Sequence, residues 1–265
     1  MVGAGGASGI GHRCGDVLPC AHRRASLSAG VRLDHRRVNS EPASREPEEP
    51  VAARPLLLAA GVAAAMVVGL RWAIGRSGWA RSTDESTLRW VLEHRSALLT
   101  SAFRMITALG DVRAVIPLIV ISAALLMWRG RRDLAAVLVA SSVGTWVVVN
   151  TMKLMVHRPR PPQSVRLVTA SGWSFPSGHA GQAAAAYLAL ALLFAVTIRR
   201  TWVAVVVLAA GAVIAVLIGA SRVYLGVHWL SDVIAGWAVA IAWLAVLLAV
   251  LSWRRRTSYR ALLLH

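Results

Sequence analysis

The chain has 265 residues, carries a formal net charge of +17 and is 57% hydrophobic, more apolar than the roughly half expected of a soluble domain. Its mean hydropathy of +0.59 comes from long uncharged runs with the charges set between them, which argues against a soluble globule and for a polytopic membrane protein. Nor does the charge indicate a nucleic-acid binder. The arginines gather at the ends of apolar runs, where they would meet lipid head groups; aromatics are few and no nucleic-acid-binding signature is present. Cys14 and Cys20 have no companions at metal-ligand spacing, so neither a zinc site nor a disulfide framework is indicated.

Residues 1–54 are rich in Gly, Ala, Ser, Arg and Glu, with runs such as Glu46-Pro47-Glu48-Glu49-Pro50. They bury too little apolar surface to offset chain entropy and read as a disordered tail on the cytoplasmic side. The segment also lacks the apolar core of a cleavable signal peptide. From Pro55 the pattern changes. A spanning helix needs about 20 apolar residues, and six candidates follow in order: 55–70 (to 75 if Arg71 snorkels), 114–128, 134–152, 180–198, 201–221 and 233–253. The expected fold is all-α: a six-helix membrane domain over 55–253, followed by a basic cytoplasmic tail at 254–265. Between the first two spans, residues 82–110 mix apolar and charged positions at helical spacing. There Leu88, Val91, Leu92, Leu98 and Leu99 predict an interfacial amphipathic helix.

Orientation follows from the short loops. Arg129-Gly130-Arg131-Arg132, Arg199-Arg200 and Arg254-Arg255-Arg256 fall on one side, which the positive-inside rule assigns to the cytoplasm. The loops after the first, third and fifth spans then face outward. Two of these are also basic, against the rule unless their charges have another task. The loop after the third span reads Lys153-Leu-Met-Val-His157-Arg158-Pro159-Arg160-Pro161 and continues to Ser174-Phe175-Pro176-Ser177-Gly178-His179. The loop after the fifth reads Ser221-Arg222, then His228-Trp229-Leu230-Ser231-Asp232. Charged groups concentrated at a membrane face are usually functional.

These three blocks resemble the tripartite signature of the type 2 phosphatidic acid phosphatase (PAP2) superfamily, the lipid phosphate phosphatases: Lys-x6-Arg-Pro, Pro-Ser-Gly-His and Ser-Arg-x5-His-x3-Asp. All three are present, in order, with no departure at a defining position, and the resemblance covers about residues 88–253. It implies a six-helix membrane phosphatase, and the chemistry of the residues agrees. Phosphoryl transfer needs charge neutralisation on the non-bridging oxygens and in-line positioning of the attacking group. Lys153, Arg160 and Arg222 supply three cations, the arginines with bidentate reach. Ser177 and the Gly178 N–H sit at a helix N-terminus, a natural anion site. His228 is the expected nucleophile. Asp232, four residues on and on the same helical face, would fix its tautomer. His179 would serve as general acid, then as base for water. The scheme requires no metal and no cofactor.

Singly, each residue has a plainer explanation. Arg222 at a helix end can snorkel, Asp232 can cap, Lys153 and Arg160 can be topology charges, and Ser177-Gly178 can be a helix start. Eight residues matching one three-part pattern decide against that. His157 and Arg158 lie off the signature positions, and Arg158-Pro159 repeats Arg-Pro at the wrong distance from Lys153, so Arg160 is taken. Arg166 fits an anionic substrate or a lipid head group equally well. Gly110-Asp111 reads as a turn opening the second span, and the small residues 181–186 as a close helix contact.

The expected activity is hydrolysis of a phosphomonoester or diphosphate lipid, of the polyprenyl diphosphate, phosphatidic acid or phosphatidylglycerophosphate class. It would proceed through a phosphohistidine at the outer face of the plasma membrane, with lipid phosphate and membrane lipids as partners and no nucleic acid. The alternatives are a lipid phosphotransferase on the same fold, or a non-enzymatic binder or transporter of anionic lipids.

Overall fold

The computed structural model describes residues 53–76 and 78–262. The tail expected over 1–54 lies outside them except for Ala53 and Arg54, which already open the first helix. Among the described residues there is no strand. The helices are α1 (Ala53–Arg76), α2 (Trp79–Glu93), α3 (Ala97–Ala108), α4 (Val112–Trp128), α5 (Arg132–Val156), α6 (Gly178–Ala183), α7 (Ala189–Ala195), α8 (Thr201–Tyr224) and α9 (Leu230–Leu262). A π-turn at Ala184–Leu188 joins α6 to α7 into one span, Gly178–Ala195. Among the described residues, five segments are long and apolar enough to cross a membrane, and α3 with α4, bent by 43°, completes a sixth if the pair is one span. The chain is a multi-pass membrane protein.

Three expectations change in detail. The single interfacial helix over 82–110 is two helices, because Ser96 Oγ accepts from the Leu99 N–H (3.3 Å) and starts α3 afresh after the break at 94–96. No residue of α3 is buried, and Leu98 is 80% exposed; with this apolar outer surface, α3 passes the length and hydropathy test for a span together with α4. The bend falls at Gly110-Asp111, where Asp111 Oδ1 caps α4 by accepting from the Arg113 N–H (2.9 Å). Finally, α9 runs through Leu262, past Trp253 where the last span was expected to end.

Helix α2 buries Ala80, Asp84, Leu88 and Val91, spacings of four, four and three that place them on one stripe. Three are apolar. The fourth, Asp84, is a carboxylate only 2% exposed.

Helix α9 is the hub. Ala63 and Val67 of α1 and Val149 of α5 pack with Phe175 against Ala235, Ala238 and Val239 of α9. At the other end Leu134 and Leu138 of α5, Val115 and Ile119 of α4 and Leu193 of α7 meet Leu244. Helices α6 and α9 cross so closely that a Cβ on Gly236 would stand 2.6 Å from the Ser177 carbonyl oxygen and 3.1 Å from the Gly181 nitrogen. That crossing lets the Ser177 N–H donate to the Asp232 carbonyl oxygen at 2.9 Å, locking the start of α6 to the first turn of α9.

Gly236→Ala should therefore force these helices apart and lower the thermal midpoint of the detergent-purified protein, at an overpacking cost of about 1–3 kcal/mol. Gly61→Ala, whose Cβ meets nothing within 4 Å, should leave the midpoint unchanged or raise it. Equal midpoints for the two variants would contradict this account of the crossing.

Candidate active site

Five segments meet at one end of the bundle: the C-terminal ends of α5 and α8, the N-terminal ends of α6 and α9, and the loop 157–177. His157 ends α5 in the left-handed conformation (φ 50°), and the alternating prolines of Arg158-Pro159-Arg160-Pro161 then keep the chain extended. The turn between α8 and α9 passes through Gly226 at φ +71°, where a Cβ would meet the Val165 carbonyl oxygen at 2.6 Å. Glycine is required there for both reasons, and the turn delivers His228 beneath the loop.

The structure brings Lys153, Arg160, Gly178, His179, Arg222 and His228 onto the wall of one pocket of about 770 Å³, together with Gln163 and Arg166. His228 is 2% exposed and Asp232 fully buried. Asp232 Oδ2 faces His228 Nδ1 at 3.3 Å and accepts from the Trp229 N–H at 3.0 Å. On the other side of the ring, Arg160 Nη1 lies 2.9 Å from Nε2. Guanidinium has no acceptor, so Nε2 must be the acceptor and the ring proton must sit on Nδ1, toward Asp232. Burial pulls the imidazole down from its ordinary value to about 3, against the raising influence of Asp232; the Arg160 and Lys153 cations add to the lowering. The ring is thus neutral, with its lone pair on the pocket side.

The cations are held unequally. Arg222 is 5% exposed; its Nη1 donates to Thr107 Oγ1 at 2.8 Å, and its Nε is buried with no hydrogen-bond partner among the described residues. Lys153 Nζ donates to the Trp173 carbonyl oxygen at 2.7 Å, which leaves further donors on the ammonium. Arg160 is clamped by carbonyl oxygens: Gly172 (3.0 Å), Ser171 (2.9 Å), Trp173 (3.3 Å) and Val227 (2.7 Å). His179 Nε2 lies 3.9 Å from Asp111 Oδ2, a partly exposed carboxylate. Ser177 is fully buried as the cap of α6, its Oγ accepting from the Ala180 N–H (3.4 Å). It is the Gly178 position that reaches the pocket wall, not the serine side chain.

Two residues escaped the sequence reading. Arg158 bridges two carboxylates: Nη1 to Asp232 Oδ1 at 2.5 Å and Nη2 to Asp84 Oδ2 at 2.6 Å. Asp84 in turn accepts from the Ser231 N–H (2.9 Å) and Oγ–H (2.6 Å). A signal for Asp84 was present, since it is a lone acid on the apolar stripe of an amphipathic helix. Among the described residues no group of three or more His, Cys, Asp or Glu side chains is placed to hold a metal ion.

The sequence matches the PAP2 superfamily over residues 134–256. It is 36% identical over 165 residues to phosphatidylglycerophosphatase B of Bacillus subtilis, covering 61% of this chain and 79% of that protein. The fold is similar to the crystal structure of a transmembrane PAP2-type phosphatidylglycerolphosphate phosphatase from Bacillus subtilis, with a TM-score of 0.65 and 30% identity across 71% of this chain and 93% of the other. The chain belongs to the PAP2 superfamily. An undecaprenyl-diphosphatase of Sulfolobus acidocaldarius is 32% identical over 132 residues, 48% of this chain and 59% of that protein.

A PAP2 pocket with unpartnered cationic donors should hold a tetrahedral oxyanion. Inorganic phosphate should raise the thermal midpoint of the purified protein. Arg222→Gln should weaken that binding by about tenfold or more, as expected for a charge-assisted hydrogen bond of about 1.5–3 kcal/mol. A midpoint unmoved by phosphate in the unsubstituted protein would contradict this reading of the pocket.

Proposed function

We propose that the chain is a membrane phosphatase that hydrolyses a phosphomonoester or diphosphate lipid through a phosphohistidine on His228, at the extracytoplasmic face. Membership of the PAP2 superfamily and the multi-pass fold support the coarser statement, a membrane hydrolase acting on lipid phosphate. The observation that carries the finer one is the contact between Arg160 Nη1 and His228 Nε2, because it requires a lone pair on the pocket-facing nitrogen of a neutral ring.

In the proposed reaction, Lys153, Arg160, Arg222 and the Gly178 N–H neutralise the non-bridging oxygens, with Arg160 turning from its carbonyl partners onto the phosphoryl group. His228 Nε2 attacks phosphorus and a P–N bond forms as the P–O bond to the lipid breaks. Protonated His179 gives its proton to the departing oxygen. Asp232 stabilises the positive charge that develops on the His228 ring through the Nδ1–H. His179, now neutral, takes a proton from water. The water oxygen attacks phosphorus, the P–N bond breaks, and inorganic phosphate leaves with His228 neutral again. Side-chain cations supply the positive charge throughout, so no step calls for a metal.

A second pocket of about 430 Å³ shares Lys153, Gly178 and His179 with the first and is lined by Val112, Val115 and Ile116 of α4 and Val143 and Trp146 of α5. It suits the apolar part of a lipid entering from the bilayer beside His179, the group proposed to protonate the leaving oxygen. The outward orientation rests on the arginine-rich loops: Arg255 pairs with Asp133 at the end of the bundle opposite the pocket.

His228→Gln should abolish phosphate release from lipid phosphates while the protein still extracts and purifies as before. Near-normal release would contradict the mechanism. His179→Ala should slow poor leaving groups more than good ones, since only the former need the proton; equal slowing across the series would remove His179 from that role. Phosphate release from a panel of lipid monophosphates and diphosphates, with and without chelator, should identify the substrate class and be unchanged by chelation. Loss of activity with chelator would overturn the metal-independent scheme.

A further inference from the structure

The pocket-lining groups do not account for a densely bonded, buried polar cluster among the described residues. Behind His228, away from the pocket, three segments distant in sequence are joined through charge: Asp84 on α2, Arg158 on the loop after α5, and Ser231 with Asp232 at the start of α9. Arg158 is the centre. Its two terminal nitrogens reach Asp232 Oδ1 and Asp84 Oδ2 at 2.5 and 2.6 Å, and Nη1 also donates to Ser231 Oγ at 2.8 Å. Its guanidinium carbon lies 5.5 Å from the centre of the Trp229 ring, and Trp229 Nε1 donates to the Pro159 carbonyl oxygen at 3.0 Å. The side chains of Arg158, Asp84 and Asp232 are only 10%, 2% and 0% exposed.

Buried charges at this density are costly unless each is paired, and removing one partner strands another. Here the balance is specific: one cation between two carboxylates. Asp232 divides its two oxygens, Oδ1 to Arg158 and Oδ2 to His228 Nδ1 and the Trp229 N–H. A buried carboxylate with no other countercharge would draw a proton onto the neighbouring imidazole, and a protonated imidazole has no lone pair with which to attack. With the guanidinium on Oδ1, Asp232 can orient the Nδ1–H without needing an imidazolium to neutralise it. Asp84 in turn holds the guanidinium in place, and through Ser231 it pins α2 to the first turn of α9.

We infer that Arg158 and Asp84 are positioning residues for the nucleophile: Asp84 anchors the Arg158 guanidinium, and Arg158 holds Asp232 in register and supplies its countercharge, so that His228 is presented with Nε2 toward the substrate. The inference rests on the proposed role of His228. The charged groups facing that ring are Asp232 from α9, Arg160 from the loop and Lys153 from α5; His179 of α6 and Arg222 of α8 share the pocket wall. Arg158 differs from these cations in bonding directly to the carboxylate beneath the ring. The amphipathic helix α2, which carries no pocket residue, thereby gains a function: its buried acid ties the membrane-interface segment to the reacting histidine.

The test uses the full chain in detergent, labelled with ¹⁵N-histidine, with His228→Gln identifying the His228 signals. The protonation midpoint and tautomer of His228 are then read directly, alongside kcat and KM for phosphate release. The unsubstituted protein should show a neutral ring protonated on Nδ1 at neutral pH. Arg158→Gln should raise the His228 midpoint by about 1 unit or more, because Asp232 loses the cation bonded to its Oδ1, and should move the acid limb of kcat/KM upward with it. Asp84→Asn, which removes an anion, should not raise the midpoint but should lower kcat more than it changes KM. Arg158→Lys keeps the charge but cannot bridge both carboxylates as a fork; it should leave the midpoint in place and lower kcat by about tenfold or more, the scale lost when an orienting partner is removed.

A His228 midpoint unchanged in Arg158→Gln would overturn the inference, as would undiminished kcat in Arg158→Lys. If Arg158→Gln does not fold, Arg158→Lys and Asp84→Asn carry the test through the same readings. Absence of phosphate release by the unsubstituted protein would sink the proposed function instead, and the histidine spectra would still decide this point.

Discussion

The arrangement depends on a carboxylate with no exposure to solvent, Asp232, sitting directly beneath a histidine that is also buried. Such a group persists only if its charge is met on every side. Arg158 meets one oxygen, while the His228 ring and the Trp229 N–H meet the other. The backbone of the same residue is engaged as well, since its carbonyl oxygen accepts from Ser177 at the start of α6. One residue thus fixes the tautomer of His228, the register of α9 against α6, and the place of the Arg158 loop.

Around that buried anion the site divides into two shells of opposite character. The inner shell is dense and bonded in full, as a rigid support for an attacking group must be. The pocket wall is cationic and, among the described residues, incompletely satisfied: the Arg222 Nε is buried without a hydrogen-bond partner, and Lys153 Nζ donates to one carbonyl oxygen. Positive donors lacking acceptors, opposite a neutral imidazole lone pair, are what a phosphoryl group would complete. The Arg160 contact with Nε2 fits the same picture, because an incoming phosphoryl group would offer that guanidinium a better acceptor than a neutral ring nitrogen.

The residues that line the pocket are legible in the sequence and their supports are not, for a physical reason. Lys153, Arg160, Gly178, His179, Arg222 and His228 were legible because local spacing fixes them: a helix end, a helix start, and the turn between α8 and α9. Asp232 was legible as the i+4 neighbour of His228 on one helical face. Ser177 was placed correctly at a helix start, but its side chain turned inward to cap it. Arg158 and Asp84 are joined across 74 residues, and no local spacing encodes such a contact. Arg160 holds the signature position, yet the extended Arg-Pro-Arg-Pro run uses both arginines, the first inward and the second toward the pocket. The spans themselves were readable from length and hydropathy alone. The division of residues 82–110 was not, because a serine cap and a bend at Gly110-Asp111 decided it.

The central claim is that His228 attacks phosphorus through Nε2. The most direct measurement is rapid acid-free quenching of the enzyme with a ³²P-labelled lipid phosphate, followed by mapping of the labelled peptide. The account predicts transient, acid-labile and alkali-stable label on the peptide containing His228, absent from His228→Gln. Label on His179 or Ser177, or phosphate release without any labelled enzyme at the shortest times, would contradict it.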